Sequence, residues 1–386
     1  LSRAVYINAT STYFPNAPVT NDNIENVLGL INGRASRSKN IVLASNLIRS
    51  RHYAIDPVTR RSTHTNAQLT AQAVRALLEQ NPDLKLGEAQ VLCCGTTVPD
   101  VLVPAHGQMV QGELKDFSGE VFSSAGVCCS SMSALKTAAM SIQSGNSDNA
   151  IVTGSEVASK FMRGEFFESE CEKQLAQLQK NPIVAFDNDF LRWMLSDAAA
   201  ALYLSSEAKP GKTNLRVNWI DGHSYANEET SCMFAGGYLA DDGEVTGWQD
   251  LRLESDPDKL KFAMNFRQDI RQLRDKITLY TVEKPLLEIK KRRGLKPGDY
   301  SWFVPHYSSG FFREILFAAL QAYDFAIPYE RWFTKLPEIG NIGSASMFSF
   351  LDFLVKEKSL AAGEKILCYV PESARFAAYY FELEVV

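Results

Sequence analysis

No apolar run in this sequence reaches the length that crosses a bilayer, and its first residues lack the charged region and apolar stretch of a secretory leader. Regular cysteine spacing is absent too. The seven cysteines fall as Cys93-Cys94, Cys128-Cys129, Cys171, Cys232 and Cys368, an odd number without a CxxC pair, which excludes a regular disulfide framework and fits a reducing cytoplasm. Strong charge bias is missing as well. The net charge of −5 comes from interspersed acidic and basic residues, which argues against nucleic acid as a partner. One short basic run, Lys290-Lys291-Arg292-Arg293, reads as a solvated helix end, with a docking patch for an acidic carrier protein as the alternative. The expectation is a soluble, unprocessed, cytoplasmic protein that calls for no metal, no cofactor and no membrane.

What is present is an ordinary globular composition, 45% hydrophobic and 22% charged over 386 residues, enough for two domains or two fused core units. Fused halves are favoured. Ala4 to Ala9 alternates as a strand, and Asn21 or Asp22 is placed to cap a helix with Ile24, Val27, Leu28 and Ile31 on one face. A helix from Thr65 to Glu79 leads into an apolar strand, Gln90 to Cys94. Then come a helix at 105–114, a short strand to Phe122, a helix from Ser130 to Gln143 and a strand at 150–153. Such alternation predicts a parallel sheet covered by helices. The 130–143 helix carries Met132, Leu135, Ala139 and Ile142 on one stripe and Ala134 and Ala138 beside it, so it should be buried on most sides.

Residues 159–195, acidic and aromatic and then rich in Gln and Leu, interrupt the pattern as an inserted helical cap. After strands at 201–204 and 215–220, residues 221–257 read as a long loop or lid. The order of elements then repeats: helices at 259–274 and 282–291, a strand at 301–304, helices at 310–322 and 346–356, and strands at 366–369 and 376–386. No sequence repeat accompanies this repeated order. The expected division is a half at 1–220 and a half at 221–386.

Three segments carry candidate chemistry. Cys128 lies between a predicted strand and the start of a buried helix, where free N–H groups and the helix dipole would favour a thiolate and lower its pKa. A small buried core cysteine is the alternative, and neighbouring Cys129 is read as structural. His306 follows an apolar strand in Val304-Pro305-His306, a position where ligand-handling residues collect. Asn341 sits in Gly340-Asn341-Ile342-Gly343, whose glycines allow close backbone approach. Each of the last two is also an ordinary structural residue or loop residue when taken alone.

Together these segments resemble the ketoacyl synthase III branch of the thiolase superfamily. The register from Cys128 through Ala134-Leu135, Ser144-Gly145 and Gly154-Ser155-Glu156 matches that family without a gap, and Val304-Pro305-His306 and Gly340-Asn341 match its histidine and asparagine motifs. The likeness begins at Tyr13-Phe14-Pro15 and Ile48-Arg49-Ser50-Arg51-His52 and covers nearly the whole chain. It implies a five-layered α/β/α/β/α thiolase fold built from two pseudo-equivalent halves, working as a homodimer. It also implies roles. Cys128 would carry an acyl group as a thioester, the backbone N–H groups of Cys128 and Ser373 would hold the oxyanion, and His306 and Asn341 would donate hydrogen bonds to the second thioester. Val103 and Ser309 would contact substrate.

This sequence departs from the family at several points. Ser130 and Ser131 replace a glycine and a bulky residue, Ser309 replaces an asparagine, and Pro371-Glu372-Ser373-Ala374-Arg375-Phe376 replaces a glycine-rich loop. Residues 31–48 contain no tryptophan to stack on adenine, which favours an acyl carrier protein over free acyl-coenzyme A as the thioester donor. With Phe190 to Ala200, these departures resemble the ketosynthase–cyclase subgroup that makes dialkylresorcinols and stilbenes. There Glu156 is a candidate acid or base, its alternative being a buried ion-pair partner. The rival readings are a starter-unit synthase using malonyl thioester, a non-catalytic partner subunit, which the retained triad argues against, and a thiolase. A thiolase would need a second catalytic cysteine, and Cys368 lies inside a predicted strand.

Overall fold

The computed structural model describes residues 2–36, 39–167, 190–239, 244–250 and 263–386. The apolar and small-residue runs of the sequence become the strands of one sheet, and the segments of helical periodicity become its covering layers. In chain order these are β1 Tyr6–Tyr13, α1 Asn66–Gln80, β2 Val91–Thr96, α2 His106–Glu113, β3 Glu120–Ala125, α3 Ser130–Ser144, β4 Asn149–Glu156, β5 Ala198–Ser205 and β6 Leu215–Ser224. There follow α4 Ile270–Thr278, a π-helical turn Leu279–Glu283, α5 Lys284–Arg293, β7 Trp302–Pro305, α6 Phe311–Ala322, α7 Ser346–Glu357, β8 Lys365–Glu372 and β9 Ala377–Val385.

The nine strands run in the order β7-β8-β9-β6-β1-β5-β4-β2-β3. The same pairing occurs twice. In the first half β2 and β4 are parallel, β5 is antiparallel to β4, and β1 is antiparallel to β5. In the second, β7 and β8 are parallel, β9 is antiparallel to β8, and β6 is antiparallel to β9. The halves meet where β1 and β6 pair through Tyr6 with Arg216 and Ile7 with Leu215. β3 is an additional edge strand, parallel to β2. The division expected after position 220 falls inside β6, whose pairing belongs wholly to the second half from Leu215 onward.

The sheet is mixed rather than parallel as expected. The turn after β8 returns the chain at once, which only an antiparallel neighbour can accept, and the long segment before β5 likewise delivers that strand antiparallel to β4. β2 and β5 are buried along their whole length because helices or loops cover both faces. α1 and α2 lie on the outer face of the first half, while α3 and α7 occupy the middle. From α3, Ser133 shares a hydrogen bond with the Tyr379 hydroxyl of β9. α4, the π turn and α6 form the outer layer of the second half. These are the five layers of the expected fold.

Local chemistry accounts for the element ends. Thr65 and Gln68 form a reciprocal capping box that starts α1. The helix expected to reach Ile31 stops at Leu28, because Gly29 adopts φ +82° and Ile31 turns back to bridge Arg34. Of the two helices expected at 259–274 and 282–291, residues 259–262 lie outside the described ones, and the stretch from Ile270 to Arg293 is one continuous rod rather than two helices. Asp269 caps its start by accepting the Gln272 N–H, and the π turn absorbs the slip in apolar periodicity between the two helical stretches. The described parts of the expected lid are not featureless: β6 runs to Ser224, and Gly237–Leu239 pairs with Val245–Gly247. Around the expected cap, three short 3₁₀ turns end at Phe161, Phe166 and Trp193, and residues 168–189 lie outside the described ones.

Candidate active site

Close packing between the halves places the site. A Cβ on Gly154 of β4 would stand 2.3 Å from the Ser344 carbonyl oxygen, and one on Gly95 of β2 would stand 2.5 Å from Ser131 Cα. Only glycine lets the start of α3 and the loop that carries Asn341 descend onto these strands.

Cys128 occupies the turn between β3 and α3, half-buried, and faces a cleft of about 540 Å³ open to solvent. His306, Thr281, Phe312, Pro371 and Ser373 line the same cleft, which is mostly apolar. His306 is held by its own N–H, which donates to the Tyr369 carbonyl at 2.8 Å, and its ring is buried. Nδ1 has no partner among the described residues, and burial pulls the imidazole down to about 4, so the ring is neutral at physiological pH.

Asn341 does not line the cleft but stands beside it in a rigid loop. Its N–H donates to Met194, its carbonyl accepts from Ser196, and its side-chain Oδ1 accepts the Gly343 N–H at 3.0 Å. That last bond fixes the amide so that Nδ2 is left as a donor. The loop rests against Glu156 at the end of β4. Glu156 Oε1 accepts the Ser344 hydroxyl at 2.8 Å and the Thr97 N–H at 2.7 Å, and the Gly343 Cα packs against its side chain. Burial pushes Glu156 up to about 7 against these hydrogen bonds. Among the described residues it has no cationic partner, so the ion-pair alternative is not what holds it.

The N–H groups of Cys128 and Ser373, expected to be oxyanion donors, donate to no described residue. Ser373 is positioned through its hydroxyl, which accepts from Gln268 at 2.9 Å. Cys129 turns away and its thiol reaches the Val370 carbonyl at 3.4 Å, while Cys368 is buried within β8. The other two expected contacts are not brought to the cleft. Val103, 83% exposed, sits in a surface loop, and buried Ser309 accepts the Phe311 N–H at the start of α6, so that Ser308 faces the cleft instead.

One expectation about Cys128 is overturned. Its thiol is raised well above the ordinary range rather than lowered, first by burial, then by Glu372 and Glu156. Burial is the larger cause, and the helix start does not offset it because its amides are already occupied. Glu372 Oε2 accepts the Val127 N–H at 2.8 Å and the Cys129 N–H at 2.9 Å, spending on a carboxylate the positive potential that would have stabilised a thiolate. Sequence reasoning noted that Pro371-Glu372-Ser373 replaces a glycine loop but assigned Glu372 no role. Alkylation of Cys128 by iodoacetamide should therefore be slower at pH 7.5 than that of a free cysteine and should climb about tenfold per pH unit through pH 9. A plateau below pH 8, followed by intact mass, would contradict this.

The basic run is largely committed elsewhere. Lys290 donates to the carbonyls of Tyr323 and Asp324, and Arg292 and Arg293 both bind Asp221, leaving Lys291 as the member without a described partner.

Known proteins share this architecture. Residues 112–209 match the family described as Beta-ketoacyl synthase, N-terminal domain, and residues 291–370 match 3-Oxoacyl-[acyl-carrier-protein (ACP)] synthase III C terminal. The Beta-ketoacyl-[acyl-carrier-protein] synthase III of Methylococcus capsulatus is 24% identical over 370 residues, 95% of each chain. Among solved structures, the tetronic acid condensing enzyme AbyA1 superposes with a TM-score of 0.73 at 17% identity, covering 98% of this chain and 99% of the other. A variant of OleA from Xanthomonas campestris gives 0.69 at 19% identity, covering 100% and 99%. Fold and relatives together define a condensing acyltransferase of the thiolase fold. The chain is similar to the ketoacyl synthase III branch of the thiolase superfamily, the two family matches covering the segments that carry Cys128 and His306.

Proposed function

We propose that this enzyme joins a 3-oxoacyl thioester to an enoyl thioester by Claisen condensation and closes the product by Michael addition to a cyclohexanedione, the precursor of a dialkylresorcinol or stilbene. The observation that carries the reading is the apolar cleft onto which Cys128, His306 and Ser373 all face. Cys128 takes the acyl group. The uncommitted N–H groups of Cys128 and Ser373 hold the oxyanion, and neutral His306 and the Nδ2 of Asn341 donate to the carbonyl oxygen of the second thioester. Glu156, with a carboxyl near neutrality and joined to the Asn341 loop through Ser344, moves the proton that ring closure requires.

An acyl carrier protein is the proposed donor partner. The name of the Methylococcus capsulatus relative specifies one, and residues 31–48 offer no tryptophan for an adenine. Assembly as a homodimer is supported by the exposed apolar loop Val101, Leu102 and Val103 and by the outer edge of β3, which pairs with no described strand.

The test supplies one enoyl and one 3-oxoacyl thioester and identifies the product by mass and NMR. A cyclohexanedione is expected. A linear diketone would reduce the activity to plain condensation, and turnover on malonyl thioester alone with a linear product would favour a starter-unit synthase.

A further inference from the structure

Strand alternation along β8 and past its end turns Tyr369, Pro371 and Ser373 onto the cleft and Glu372 away from it, toward the amides of Val127 and Cys129. Ser373 therefore brings a side chain to a place where the resemblance calls for a glycine-rich loop. The chemistry proposed above uses only its backbone N–H. Its hydroxyl has one described partner, Gln268, whose Nε2 donates to Oγ at 2.9 Å. A serine hydroxyl that accepts a hydrogen bond still has its own hydrogen to give, and this one donates to no described residue.

Gln268 is firmly placed. It is buried on the short strand Arg267–Gln268, which pairs antiparallel with Met233–Phe234. The N–H groups of Cys232 and Met233 donate in turn to the Ala374 carbonyl at 2.8 and 3.1 Å, so the segment that holds Gln268 is fastened to the turn that carries Ser373. Two other hydroxyls in the cleft, of Thr281 and Tyr369, are committed to each other at 2.7 Å. No described residue orients those of Thr278 and Ser308.

A 3-oxoacyl thioester has a carbonyl oxygen on each side of the α-carbon between them. His306 and Asn341 meet the thioester oxygen in the chemistry proposed above, and the 3-oxo oxygen has no partner there. In an otherwise apolar cleft an unmet carbonyl is costly, and the charge of the carbanion spreads onto it. A fixed, neutral donor is what that oxygen requires.

We propose that the Ser373 hydroxyl donates to the 3-oxo oxygen, so that Ser373 selects 3-oxoacyl thioesters and stabilises the carbanion formed from them, with Gln268 as the positioning residue that aims the hydroxyl. The inference rests on the 3-oxoacyl reading above. No bond to Ser373 is made or broken. Gln268 fills an acceptor site on Oγ, which turns the O–H away from itself and leaves it to the cleft. The hydrogen bond strengthens as charge reaches the 3-oxo oxygen, so it contributes more to attack than to binding.

Binding is measured on Cys128→Ala protein, which cannot be acylated at that position, comparing a 3-oxoacyl thioester with its 3-deoxy counterpart of equal length. Adding Ser373→Ala keeps the backbone N–H. It should weaken the 3-oxoacyl thioester about tenfold, the worth of one hydrogen bond, and the 3-deoxy compound far less. Retained binding of the 3-deoxy compound shows in the same experiment that the variant is folded. With Cys128 intact and pre-loaded with an enoyl group, Ser373→Ala should slow attack by the 3-oxoacyl thioester about 100-fold. Gln268→Glu should reproduce the loss of preference from outside the cleft, because a carboxylate accepts the hydroxyl proton and withdraws it from substrate. Equal weakening of both compounds by Ser373→Ala, or no preference in protein that retains Ser373, would assign the side chain to turn structure and overturn the proposal. A preference that depends on Ser373 in an enzyme that yields no cyclohexanedione would defeat the cyclisation reading and leave the role of the hydroxyl standing.

Discussion

Replacement of Cys128 by alanine should abolish the acyl adduct seen by intact mass and lower turnover by on the order of 10⁴-fold or more, as loss of a covalent nucleophile does. The adjacent cysteine is no substitute. Cys129 is buried, and its sulfur points to the Val370 carbonyl rather than into the cleft. The alanine side chain removes only a sulfur from a turn whose geometry is set by the backbone, through Ser130 N–H to the Val127 carbonyl and through the two bonds to Glu372. The fold should therefore survive, and a thermal melt should show it. An acyl adduct that persists in the variant would place the nucleophile elsewhere.

His306→Phe should separate the two half-reactions. The imidazole is buried near Phe350, ring centroids 6.4 Å apart, so phenylalanine keeps the apolar packing while deleting the donor. Acylation of Cys128 should continue. Condensation should slow by about 10²- to 10³-fold, the usual cost of one donor to a developing oxyanion. Because the ring is already neutral above about pH 4, no acid limb near pH 6.5 should vanish with it. Equal loss in both half-reactions would mean that the ring acts on Cys128 instead of on the second substrate.

The helix that begins after Thr65 and the buried helix behind Cys128 were both legible in the sequence, because an apolar periodicity and a run of small and apolar residues are local signals. The joined rod from Ile270 to Arg293 was not. A π turn shifts the apolar face and imitates a break between two helices, so periodicity alone reads a gap where the chain continues. The sheet was read as parallel for a related reason: alternating strands and helices fix which layers form, but not the direction in which a strand re-enters after a long connection. For the site, Cys128, His306 and Asn341 stood out through motif register, whereas Val103 and Ser309 took their roles from resemblance alone and lie away from the cleft.

By itself the sequence determined the alternation of strands and helices and their repeated order, while its likeness to a known family supplied the thiolase fold and the three side chains on which condensation is proposed to turn. Short-range periodicity, glycine placement and motif spacing are properties of neighbouring residues, and neighbours suffice to write them. The state of Cys128 was decided only by tertiary structure. Packing of the two halves buries the thiol, the larger cause of its rise, and Glu372, reaching the amides of Val127 and Cys129 across 245 and 243 positions, adds to it. A local reading counts the free N–H groups at the end of a helix, but which group arrives to accept them depends on how the second half of the sheet packs against the first.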